Sequence, residues 1–158
     1  MKPTFLFLAA LLASAAFADA QTMSYGTSIT ADTAKKIAAP AIAEARKNQW
    51  TMAIAIVDTA GELVYFERMD DTQVGSVDVA ISKARSAARF KRPTKAFQDA
   101  LAAGGEGLRI LALNGAIPVD GGLPLVVGGK IVGAIGASGG TSAQDGQVAA
   151  AGAAALGK

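Results

Sequence analysis

A chain of 158 residues that is 51% hydrophobic has enough apolar surface to close one compact domain around its own core, which excludes disorder and collagen-like repeats. Lys and Arg number 15 against 13 Asp and Glu, and a net charge of +2 is too small to mark a phosphate-tracking surface, so nucleic acid is not expected as a partner. The absence of Cys and His removes disulfides, thiol nucleophiles, zinc fingers, Ser/His/Asp triads and every His-ligated metal or haem.

Residues 1–20 read as a secretory signal. Lys2 supplies the charge ahead of an uncharged apolar run from Phe5 to Phe17, which falls short of the length a bilayer requires. Ala18-Asp19-Ala20 places the cut after Ala20, with Ala16-Phe17-Ala18 as the rival site. The mature domain, residues 21–158, is then expected to be periplasmic or secreted and free of the membrane. It contains no linker and no repeat.

Thr30 precedes a stripe at Ala34, Ile37, Ala38, Ala41, Ile42 and Ala45, the spacing of a helix that buries one face. Pro40 inside it predicts a kink, and Asn48-Gln49 the end. Met52 to Val57 and Glu62 to Met69 are β-rich runs joined by the turn residues Asp58 to Gly61, which predicts a hairpin. A second helix runs from Val77 to Phe90 and stops near Arg92-Pro93, because the residue before proline avoids helical geometry. Thr94 is expected to cap a short third helix that ends at Gly104-Gly105. Leu108, Ile110, Leu111 and Leu113 suit either a helical turn or a strand, and Pro118 to Pro124 reads as turns. Leu125 to Val127 and Ile131 to Ala137 predict a second hairpin across Gly128-Gly129. Ser142 and Asp145 have capping-box spacing before an alanine-rich last helix. Hairpins instead of crossovers make the fold class α+β, an antiparallel sheet with helices packed on its faces.

Glycine in a strand forfeits packing, so Gly133 and Gly136 call for a close backbone or ligand approach. The amides of Ser138-Gly139-Gly140, just before a helix, could cradle an anion, or the cluster could be tight packing and turns. Arg68-Met69-Asp70-Asp71 ends the second strand with a cation beside two carboxylates. Lys83 lies near an alanine face, where its stem could deliver an ammonium to a pocket or simply reach solvent. Asp145 reads as a helix cap.

Taken in order, five motifs resemble those of the GlcG/HbpS family, to which the C-terminal domain of the PduO corrinoid enzymes is related. They are Ile54 to Asp58 with Gly61, Arg68-Met69-Asp70, Lys83 to Ala87, Gly121-Gly122-Leu123-Pro124-Leu125, and Ile131 to Gly139 through Asp145. The similarity runs from about Ser28 to Leu156. It implies an antiparallel sheet of about five strands, a homo-oligomer, and haem or a related small molecule as ligand in some members. The pocket that the resemblance implies comprises Arg68, Asp70, Lys83, Gly121, Gly122, Ser138, Gly139 and Asp145. This chain departs from haem-holding members in having no histidine, leaving Met23, Met52, Met69, Tyr25, Tyr65 and lysines as candidate iron ligands.

A binding protein for a small anionic compound or a haem-like tetrapyrrole follows from that pocket. The alternatives are an enzyme acting on a small organic acid, with Lys83 or Asp70 as base and Arg68 anchoring the carboxylate, and a sensory or structural partner without a ligand. The export reading has a direct test: N-terminal sequencing of periplasmic or culture-medium material should begin near Gln21, and an intact Met1 in the membrane fraction would contradict it.

Overall fold

The structure, a computed structural model, describes residues 23–157; the expected export segment lies outside them. Helix α1 (Ala31–Lys47) starts at Thr30, whose hydroxyl accepts the Thr33 amide at 3.3 Å, and it continues through Pro40 to a C-cap at Asn48. Its buried residues are the six of the expected stripe. The first hairpin pairs β1 (Ala53–Val57) with β2 (Leu63–Arg68), and Asp58 Oδ1 accepts the Ala60 and Glu62 amides within the turn. Helix α2 (Ser76–Arg89) and the short α3 (Thr94–Ala102) follow. A 3₁₀ turn (Gly105–Ala112) then leads to the second hairpin, β3 (Gly122–Val127) and β4 (Lys130–Ser138), and α4 (Ser142–Ala153) closes the chain.

The fold is α+β, with one antiparallel sheet in the order β2-β1-β4-β3. Among the described residues the sheet has four strands where about five were expected; Tyr25 adds an isolated parallel bridge to Ile131. Ile54, Ile56, Ile135 and Ala137 face α1 and α4, while Ala53, Ala55, Val57 and Ala134 face α2. Burial of each large aliphatic side chain in the first layer stabilises the fold by about 1.5–3 kcal/mol. On the α2 side the residues are almost all alanine, so the helix backbone comes down directly onto the sheet. Gly122 and Gly136 are register partners there, and a Cβ on Gly136 would collide with the Ala80 carbonyl. No helix among the described residues is long and apolar enough to cross a membrane.

Three local expectations are corrected. Thr94 is not the cap of α3: Pro93 holds that place, and the buried Thr94 hydroxyl instead accepts the Gly122 amide at 2.9 Å, because tertiary packing turns it toward the sheet. The last capping box is Thr141 with Gln144, one residue earlier than Ser142 with Asp145, since Asp145 is drawn inward. Strand β3 begins inside the stretch read as turns, and it accommodates Pro124 because it is an edge strand.

Candidate functional site at one end of the sheet

The register gathers the site candidates at one end of the sheet. Arg68 and Ser138 both pair with Ala53, from opposite sides, while Gly122 pairs with Gly136 just behind Ser138. The N-termini of α2 and α4 arrive at the same end: the Ser138 hydroxyl lies 3.2 Å from that of Ser76, and Gly139-Gly140 leads into α4.

Beneath this end lies a sealed ion pair. Lys83 is 0% exposed, and its ammonium donates to Asp145 Oδ2 at 2.6 Å and to the Ala137 carbonyl at 3.1 Å. Asp145, 3% exposed, accepts the Gly140 amide on Oδ1 at 3.0 Å. Burial pushes its carboxyl above the usual aspartate range, against the opposing pull of the Lys83 ammonium and the Gly140 and Gly139 amides. The space for the pair comes from glycine. Gly121 has φ +119°, and a Cβ there would sit 2.9 Å from Lys83 Nζ and 2.8 Å from Asp145 Cβ. A Cβ on Gly122 would meet the Lys83 carbonyl itself.

This arrangement revises two sequence readings. Lys83 neither reaches solvent nor delivers its charge to an open pocket, because the alanines around it leave room for its whole stem under α2 and Asp145 neutralises its head. Its ammonium is closed to solvent and engaged by Asp145 and the Ala137 carbonyl. Of the Ser138-Gly139-Gly140 amides, those of Gly139 and Gly140 face Asp145 of the same chain, so these glycines fulfil their anion-binding geometry internally.

The structure does not bring Arg68 and Asp70 into contact with this pair. Both are exposed and line an open groove of about 360 Å3 with Arg46, Glu67 and Met69. Neither guanidinium has a carboxylate within ion-pair distance among the described residues, while Glu67 accepts a hydrogen bond from the Tyr65 hydroxyl at 2.9 Å. Arg46 was missed by sequence reading. It belongs to the last turn of α1, and only the packing of α1 on β2 places it beside Arg68. Ser76 and Thr94 were missed for the same reason, since each acts through a partner distant in sequence. Thr72, in the loop between the groove and α2, has a buried hydroxyl without a hydrogen-bond partner.

A family model described as "Haem degrading protein HbpS-like" matches residues 29–154. An uncharacterised 15.0 kDa protein from the dhaT-dhaS intergenic region of Citrobacter freundii is 35% identical over 119 residues, 74% of this chain and 84% of that one. Protein GlcG of Escherichia coli is 39% identical over 95 residues, 60% of this chain and 69% of its own. Among solved structures, a double mutant of Streptomyces reticuli HbpS superimposes with a TM-score of 0.77 at 29% identity, covering 99% of this chain and 100% of its own. The PduOC:heme complex does so with a TM-score of 0.74 at 26% identity, covering 83% and 96%.

The buried pair makes a quantitative prediction. Lys83→Met leaves Asp145 buried and unpaired and should lower the unfolding free energy by about 3–5 kcal/mol in urea denaturation, with much of the loss recovered by adding Asp145→Leu. A loss below about 1 kcal/mol, the scale of an exposed pair, would contradict the sealed geometry.

Proposed function

The chain belongs to the HbpS-like family, and on that premise we propose that it is an exported small-molecule-binding protein whose ligand is a small carboxylate held in the Arg46/Arg68 groove. The carrying observation is the pair of guanidiniums, from α1 and β2, that line one groove without a carboxylate partner among the described residues. A guanidinium fork matches a carboxylate in a bidentate manner, and two of them fix its orientation. Asp70 and Glu67 share the groove and accept hydrogen bonds, so the ligand that complements all four side chains pairs its carboxylate with a hydroxyl or ammonium donor. Export rests on the N-terminal sequence pattern.

Haem comes into consideration through the family description and the PduOC:heme complex. The donor set of this chain does not fit an iron ligated by protein. There is no His or Cys, and Met52 is wholly buried in the core. The Tyr25 hydroxyl donates to the Ala88 carbonyl at 2.9 Å, and burial raises its pKa. The Tyr65 phenol is held above its usual range by its hydrogen bond to Glu67, by burial and by the Glu67 charge, which disfavours the phenolate. Met69 alone lines the groove. A tetrapyrrole would be anchored there through its propionates on Arg46 and Arg68.

Calorimetry on the purified full chain with lactate, succinate and haemin tests the reading. Lactate, which carries the donor, should bind more tightly than succinate, and Arg68→Ala should weaken it by at least tenfold, since a charge-assisted hydrogen bond contributes about 1.5–3 kcal/mol. Unchanged lactate affinity in Arg68→Ala, or stoichiometric haemin with a six-coordinate spectrum and no response to the carboxylates, would overturn it.

A further inference from the structure

A second concavity lies between α3 and α4, where the edge strand β3 enters the sheet, and measures about 660 Å3. Small-molecule pockets fall at about 300–1,000 Å3. Leu123, Ala143 and Ala150 give it an apolar lining, and its charged groups are Lys95 and Asp99 from α3 and Asp120 from the approach to β3. The two carboxylates are not equivalent. Asp99 holds the Lys95 ammonium on both oxygens at 2.7 Å, so these two charges cancel. Asp120 has no basic group within ion-pair distance among the described residues. Its direction is set by the chain: the Gln98 side-chain carbonyl accepts the Asp120 amide at 2.9 Å, and Asp120 Oδ1 accepts the Gly121 amide at 2.7 Å. Oδ2 is left against Gly146 of α4, where a Cβ would sit 2.5 Å from it. Gln147, also on the lining, donates its amide to Glu44 Oε1 at 2.6 Å and keeps its carbonyl oxygen as an acceptor. The Asp120 charge is felt across the cleft: the hydrogen bond to Asp99, then the Asp99 and Asp120 charges, hold the Lys95 ammonium above its usual range. The lining therefore carries one negative charge that the chain does not pair.

We propose that this cleft binds a small organic cation, an ammonium on an apolar body, with the ammonium on Asp120 and the body along Leu123, Ala143 and Ala150. Charge complementarity selects that occupant. A carboxylate, the ligand class of the Arg46/Arg68 groove, would be repelled by Asp120, and a neutral apolar molecule would take Asp120 out of water without a partner. The cleft shares no lining residue with that groove, so the two readings fail independently.

Titration calorimetry of the full chain with hexylammonium, hexanol and hexanoate reads the site. Hexylammonium, charged at neutral pH like a lysine side chain, should bind saturably and about tenfold or more tighter than hexanol, and hexanoate should not compete with it. Asp120→Asn keeps an acceptor for the Gly121 amide and removes only the charge. It should weaken hexylammonium by about tenfold or more without weakening hexanol or lowering the melting temperature. Ala150→Phe, which sets a ring in the cleft from an exposed position of α4, should weaken both compounds, while Arg68→Ala should affect neither. Equal affinity for hexylammonium and hexanol, wild-type hexylammonium binding in Asp120→Asn or in Ala150→Phe, or no saturable binding at all, as when another protein chain covers the cleft, would overturn the proposal.

Discussion

The contact between Lys83 and Asp145 joins the two sides of the sheet. Lys83 comes from α2 on one face and Asp145 from the first turn of α4 on the other, and they meet past the ends of β3 and β4. Taking both charges out of water is costly, and the cost is offset only by close pairing with every remaining hydrogen-bonding position engaged. Asp145 is held by Lys83 and the Gly140 amide, and Lys83 by Asp145 and the Ala137 carbonyl. The pair is satisfied only with α2, β4 and α4 in this arrangement, and only if Gly121 and Gly122 carry no side chain.

That constraint divides the sheet end into two parts with different chemistry. Near β3 and β4, the glycine amides and the buried lysine are saturated by the chain's own carboxylate, so the region is a fixed support. Near β2, two guanidiniums stand at an open groove without such partners among the described residues. The support holds the end of β4, and through the shared partner Ala53 it fixes the level at which Arg68 leaves the sheet. A binding site whose cation is positioned by the strand register loses less freedom when a ligand arrives than one built on a long loop.

The β-rich run of Met52 to Val57, the stripe of α1 and the glycine hairpin of β3 and β4 were legible because each is a local pattern. The family resemblance, from about Ser28 to Leu156, added the grouping of the candidate pocket residues. Lys83 and Asp145 were singled out in the sequence, but their mutual engagement was not legible, because a lysine on an alanine face and an aspartate in a first helical turn each have an ordinary surface reading. Thr94 and Ser142 looked like caps for the same reason: a hydroxyl or carboxylate at a helix start suits a cap until packing directs it elsewhere. Arg46 left no signal, since its meaning depends on where α1 lies against β2. The 3₁₀ turn was ambiguous because a period of three falls between those of helix and strand.

Amine acylation of the folded protein, followed by mass spectrometry of each lysine, bears most directly on the buried pair. Exposed Lys35, Lys36 and Lys47 should react in the native state while Lys83 stays unmodified until the whole fold opens in urea, after which it reacts like the others. Native-state modification of Lys83 at the rate of the exposed lysines would show that its ammonium is open to solvent, and the internal ion pair would then not be what holds the two faces of the sheet in place.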